Sequence, residues 1–159
     1  MNRYDLLESY LNGFDELAKI IKETDGNILF YKPSEKKWSI AEIIVHLADA
    51  ECNGYIRLRK AIAESGCTVD IYDQDAWADK LYYKSQDISN SLALFKLFRV
   101  INYQLLSGLS EDKWNNFIMH PQRGKLTLLD VLNMYTEHLY QHINQIKRNI
   151  TAFNNQIKI

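Results

Sequence analysis

Apolar residues recur at helical spacing through most of this chain, and few glycines and prolines interrupt them. Tyr4, Leu7, Leu11, Phe14, Leu17, Ala18 and Ile21 make a single stripe, as one buried face of an α-helix requires. This first helix is predicted to stop near Thr24-Asp25-Gly26-Asn27, where Gly and Asn are natural terminators. A second helix is predicted from Ser39, whose hydroxyl can cap it while Glu42 reaches back to complete a capping box. It runs through Ile40, Ile43, Ile44, Leu47, Ile56 and Leu58 to Ser65-Gly66.

The pattern then breaks. Between Cys67 and Asn90 aspartates and aromatics mix without a clear period, which predicts a long crossover holding a short helix. A third helix follows from about Ser89 to Leu106, carrying Leu92, Phe95, Leu97, Phe98, Ile101 and Leu105 and ending toward Gly108. In Asn115–Gly124, Pro121 and Gly124 predict an extended strand or hairpin. The fourth helix starts at Thr127, where Thr-Leu-Leu-Asp repeats the capping-box logic, and continues through Val131, Met134, Tyr135, His138 and His142 to roughly Phe153. Two short echoes, Lys37–Ile44 with Lys125–Leu132 and Ser34–Trp38 with Ser110–Trp114, read as similar helix entrances rather than as a duplication. Four long helices with one long connection predict an all-α four-helix bundle, one domain over residues 1–159.

Composition narrows the function. The 159 residues are 47% apolar and 12% aromatic, ordinary for a globular domain with a real core. Nineteen basic residues stand against twenty acidic ones, so neither nucleic acid nor an anionic membrane surface is expected as the main partner. No apolar run approaches a membrane span or a secretory signal, and Cys52 and Cys67 are too few for a disulfide scaffold; a cytoplasmic setting with reduced thiols is the expectation. Cys52 falls about 120° round the helix from His46, and Cys67 has no basic neighbour, so neither is expected to be catalytic. Nucleotide-cradling glycine loops and a Gly-x-Ser-x-Gly elbow are absent from the sequence.

The candidate chemistry lies with histidine. His138 and His142, four residues apart on the last helix, put two imidazoles on one face about 6 Å apart, as two ligands of one divalent ion require. Two ligands leave a site incomplete. His46 sits among the core positions of the second helix, and in a bundle metal sites are assembled from inward side chains on facing helices. Three neutral nitrogens leave the ion's charge uncompensated and a position open, the pattern of catalytic rather than structural sites. Without a metal, three interior imidazoles would each need separate hydrogen-bond partners.

In order along the chain, Trp38-Ser-Ile-Ala-Glu-Ile-Ile-Val-His46-Leu-Ala-Asp49-Ala-Glu51, Tyr72-Asp-Gln-Asp-Ala-Trp77-Ala78, His120-Pro121-x-x-Gly124-x-Leu126-Thr127-Leu128 and Glu137-His138-x-x-x-His142-x-x-Gln145-Ile146 resemble the DinB/YfiT-like family of metal-binding four-helix proteins. The resemblance covers most of the chain from Trp38 onward. It implies an up-down-down-up bundle, with His46, His138 and His142 as ligands of a divalent metal, zinc or nickel first and iron or manganese as further candidates. It also implies a homodimer. Relatives of known activity include S-transferases and isomerases that use bacillithiol, mycothiol or glutathione. The expectation is therefore a metal-dependent enzyme of small-molecule chemistry, a thiol-dependent transferase that activates a low-molecular-weight thiol; a metal-dependent hydrolase and a noncatalytic metal- or ligand-binding bundle are the alternatives.

Other residues are placed more loosely. His120 is left out of the metal set, because no helical spacing ties it to the pair, and is expected at the entrance. Asp49 and Glu137 are candidates for fixing an imidazole tautomer or are solvated helix charges; Gln145 and Tyr135 either line the pocket or face water. Tyr72 and Trp77 pack the crossover on the bundle or wall one side of a pocket. Asp70, Asp73, Asp75 and Asp79 lack the central Gly and terminal Glu of a calcium loop.

Overall fold

In the computed structural model, which describes residues 2–156, the order of elements is α1 (Arg3–Glu23), α2 (Gly26–Leu29), α3 (Ile40–Ala63), α4 (Gln74–Lys80), α5 (Ile88–Ser107), β1 (Phe117–His120), β2 (Gly124–Thr127) and α6 (Leu128–Gln156). The four long helices are those the apolar stripes predict. Gly26 and Asn27 do not simply end α1. Asp25 accepts a hydrogen bond from the Asn27 backbone and opens the single turn of α2. The capping box at α3 forms in both directions, Ser39 Oγ accepting from Glu42 N (3.2 Å) and Glu42 Oε2 accepting from Ser39 N (2.8 Å). The α6 entrance repeats it with Thr127 and Asp130. Asp87, ahead of the predicted start, caps α5 through the Asn90 amide.

Contacts fix the helix directions. Ser9 meets Tyr140 and Glu16 meets Lys147, so α1 and α6 run parallel. Tyr55 meets Phe98 and Arg59 meets Asn102, so α3 and α5 are parallel too. Glu8 with Tyr103 and Phe14 with Phe95 make α5 antiparallel to α1. The result is an up-down-down-up bundle in which α1 and α3 each pack on both α5 and α6. Two parallel consecutive helices need a connection that returns the length of the bundle, and residues 64–87 supply it. The Asp-rich stretch works as a helix entrance: Asp73 accepts from the amides of Asp75 and Ala76 and starts α4.

The crossover is stitched to the hairpin. Val69 N donates to Met119 O and Met119 N to Cys67 O, so its first residues run beside β1. Two apolar clusters fill the bundle, one around Tyr10, Leu58, Val131 and Tyr135, the other around Leu17, Ile43, Leu47, Phe95 and Ile143. Not every stripe residue is buried: Tyr4, Ile56 and Leu97 are exposed, and Ile56 and Leu97 fall on the faces opposite the buried arcs of α3 and α5. No described helix is long and apolar enough to cross a membrane.

Candidate metal centre

His46 is carried inward by the most buried stretch of α3, where Ile43, Ile44, Val45 and Leu47 leave it no exposed surface. His138 and His142 come from successive turns of α6, which faces α3 in antiparallel direction. The three imidazoles meet. His46 Nε2 and His142 Nε2 each lie 3.1 Å from His138 Nε2, and one nitrogen from each ring falls within 4.8 Å of the others. For Zn–N bonds of about 2.0–2.1 Å, tetrahedral ligands stand roughly 3.3–3.4 Å apart. Two of the three separations come close to that spacing and the third falls within 4.8 Å, an arrangement that could hold one divalent ion.

The proton positions fit as well. His142 Nδ1 lies 2.9 Å from Gln145 Oε1, an acceptor, so Nδ1 carries the hydrogen and Nε2 turns its lone pair inward. Burial, and then the neighbouring imidazoles, push His46 down to about 2; burial, with His142 next, takes His138 down to about 3. Burial also lowers His142, although Gln145 opposes it. The rings are therefore neutral and offer lone pairs. His46 Nδ1 is buried without a hydrogen-bond partner among the described residues, so that side of the ring is held by packing. Trp38 supplies much of that packing, its ring 4.8 Å from His46 and stacked at 12° over His142.

Openings flank the trio. On the His138 side lies a cavity of about 190 Å³ lined among others by Arg57, Tyr72, His120, Arg123 and Tyr135. On the His142 side a cleft of about 210 Å³ is bordered by Lys37, Trp38, Gln74 and Gln145. Tyr135 reaches the cavity because Gly54 makes room: a Cβ there would stand 2.9 Å from its ring.

The looser sequence candidates now separate. Gln145 orients His142. Asp49 accepts a hydrogen bond from Tyr83 and Glu137 accepts one from Asn133, so neither carboxylate orients a site imidazole. His120 sits on β1 at the cavity wall, outside the trio, and Tyr72 walls the same cavity while its ring packs at a tilt against Trp77, 4.7 Å between centroids. Sequence reasoning quoted Trp38 only as part of the family pattern and gave Trp38, Arg57 and Arg123 no role at the site. Arg57 had a readable signal, since eleven residues from His46 is three helical turns and the same face.

A model of the DinB superfamily matches residues 11–146. The chain belongs to the DinB superfamily. Within it, a protein of Oceanobacillus iheyensis, provisionally named a metal-dependent hydrolase, is 29% identical over 145 residues, covering 89% of this chain and 84% of the relative. Bacillus subtilis YfiT, described as a metal-dependent hydrolase candidate with an unusual four-helix bundle topology, superposes with a TM-score of 0.85 at 23% identity, over 99% of this chain and 90% of YfiT. A mycothiol-dependent maleylpyruvate isomerase shares the fold at a TM-score of 0.70 and 14% identity; 89% of this chain matches, and it spans 59% of the isomerase. The helical bundle fold is thus shared across these proteins.

Proposed function

We propose that this DinB protein is a metal-dependent enzyme in which His46, His138 and His142 hold a divalent ion and a low-molecular-weight thiol is transferred to a small electrophile. The observation that carries the reading is the convergence of three neutral imidazole nitrogens between two openings that meet at Gln74, one bordered by His138 and the other by His142. Two approaches suit two reactants. When bound, the ion supplies positive charge that favours a thiolate over a thiol, or hydroxide over water. The protein's own part is positional. Gln145 keeps the His142 lone pair inward, Trp38 packs against two of the rings, and Tyr72 closes the cavity from the crossover.

Zinc or nickel is the first assignment for a nitrogen-only set, with iron or manganese next. A single domain over residues 1–159, a cytoplasmic setting and a homodimer belong to the same proposal; exposed Ile56, Leu94 and Leu97 on α3 and α5 favour the dimer. Hydrolysis is the second reading, favoured by the name of the O. iheyensis relative and by the open face of the same trio.

Elemental analysis of untagged protein tests the core of the proposal. About one equivalent of metal in wild type, lost in His138→Ala, is the expected result. No metal, with no uptake of any divalent ion on titration, would leave a noncatalytic helical module. Metal-loaded protein is then screened with thiols and electrophiles: consumption of both reactants supports the transferase, and consumption of the electrophile without thiol supports the hydrolase.

A further inference from the structure

The cavity beside His138 has a one-sided charge. Arg57 is buried to 8% exposure, yet no carboxylate lies within ion-pair distance of its guanidinium among the described residues. Its polar contacts are a hydrogen bond from Nη1 to the Tyr135 hydroxyl (3.0 Å) and one from Nη2 to the Asp70 carbonyl (2.8 Å). A guanidinium has five N–H donors, so three stay available. Arg123 adds a second positive charge to the same wall, and the lining contains neither aspartate nor glutamate. Burying a guanidinium without an anion costs free energy that a bound anion would offset.

The neutral groups are also arranged to donate. Tyr135 Oη accepts from Arg57, which leaves its own proton for another acceptor. His120 Nδ1 accepts from the backbone N–H of Gln122 (3.2 Å), so the hydrogen of this ring sits on Nε2. The cavity therefore presents a guanidinium, a hydroxyl and an imidazole N–H. An anionic oxygen ligand satisfies that set, whereas a cation or an apolar group would leave donors unpaired.

We infer that this cavity binds a carboxylate of the substrate, with Arg57 as its anchor, Tyr135 and His120 as supporting donors and Arg123 at the mouth, so that the reacting atom is held beside the histidine trio. The inference rests on the metal-centred function proposed above and narrows it to acidic small molecules. A singly charged carboxylate fits better than a phosphate dianion because Arg57 is the one full positive charge in the buried part of the described lining, Arg123 standing exposed at the mouth. Arg57 also has a second grip: through the Asp70 carbonyl it holds the crossover that carries Tyr72, so anion binding and cavity closure meet at one side chain.

The test uses cobalt-loaded protein and two thiol probes, 3-mercaptopropionate and 2-mercaptoethanol, followed by cobalt–thiolate absorption. The expected result is a preference for the carboxylate-bearing thiol of at least about tenfold, the size of one charge-assisted hydrogen bond. Arg57→Gln should erase the preference, read as the ratio of the two thiol affinities in the same protein. Arg123→Gln, on an exposed turn where folding is not at stake, should reduce it by a smaller factor. Equal affinity of wild type for both thiols would overturn the carboxylate site and leave the metal–thiol proposal standing. If cobalt does not load or no thiolate band forms, that proposal fails, and propionate added to metal-free protein judges the site by arginine side-chain nitrogen NMR. A saturable shift of Arg57 Nε–H that weakens in Arg123→Gln supports it; no shift overturns it. Inorganic phosphate competing better than propionate would overturn the choice of carboxylate.

Discussion

Two polar clusters lie inside this bundle, and they are built on opposite principles. The first joins Tyr10, Glu51, Arg99 and Asn102. Arg99 pairs with Glu51 (3.2 Å), donates to the carbonyls of Tyr10 and Tyr135, and lies over the Tyr10 ring; Tyr10 donates to Glu51 and accepts from Asn102. Each of its side-chain polar groups has a protein partner. The second is the histidine trio, where three ring nitrogens crowd together without a carboxylate or carbonyl among them and His46 Nδ1 bonds to nothing described. A closed cluster ties α1, α3, α5 and α6 together. The trio is more open, with His46 buried and His138 and His142 half-buried, and a buried nitrogen without a partner is the mark expected of a place that takes a ligand.

Substitution should separate the two. Arg99→Ala strands Glu51 in the core and is expected to cost about 3–5 kcal/mol in chemical denaturation, with metal stoichiometry unchanged in whatever protein remains folded. Acid should act on the other cluster. The three imidazoles are held neutral below their unfolded value near 6.5, so the unfolded chain binds the extra protons. Their stabilisation is present above about pH 6.5 and is lost as pH falls toward the depressed folded values, by up to about 1.4 kcal/mol per pH unit for each ring. Denaturation of metal-free protein between pH 7 and 4 checks this, and a flat profile would contradict it.

A smaller effect is expected from Gln145→Ala, which frees the His142 ring without removing a ligand. Metal affinity in a competition titration should fall about 10- to 100-fold, with little change in stability of the metal-free form. Smallest of all is His46→Leu, measured on metal-free protein. It removes a buried nitrogen with no partner while keeping the volume, so stability should shift by less than about 1.5 kcal/mol, although metal uptake is lost. A loss comparable to that of Arg99→Ala would erase the distinction between the clusters.

The same division explains what could be read in the chain. Helices α1, α3, α5 and α6 were legible because apolar period and capping residues act locally, and Ser39–Glu42 and Thr127–Asp130 both cap as their spacing says. The histidine trio was legible as well, from one fixed helical spacing and the family pattern around it. The closed cluster was not. Glu51, Arg99 and Asn102 look like ordinary surface residues in sequence, and only the diagonal packing of four helices brings them to one point. Arg57 escaped notice for the same reason, since its lack of an acidic partner is a fact of three dimensions. The one-turn α2 was missed because Asp25-Gly-Asn is equally good chemistry for a turn.

The parallel pairing of α3 and α5 has an evolutionary consequence. It obliges the chain to travel the length of the bundle between them, and that excursion carries Tyr72 and Gln74 to the openings beside the histidines. The proposed cage and part of the wall that faces it therefore sit on separately mutable stretches: the three histidines, Arg57 and Tyr135 on two core helices, Tyr72 and Gln74 on the connector. Exchange or lengthening of residues 68–82 among relatives would diversify what the protein accepts while the cage is inherited unchanged.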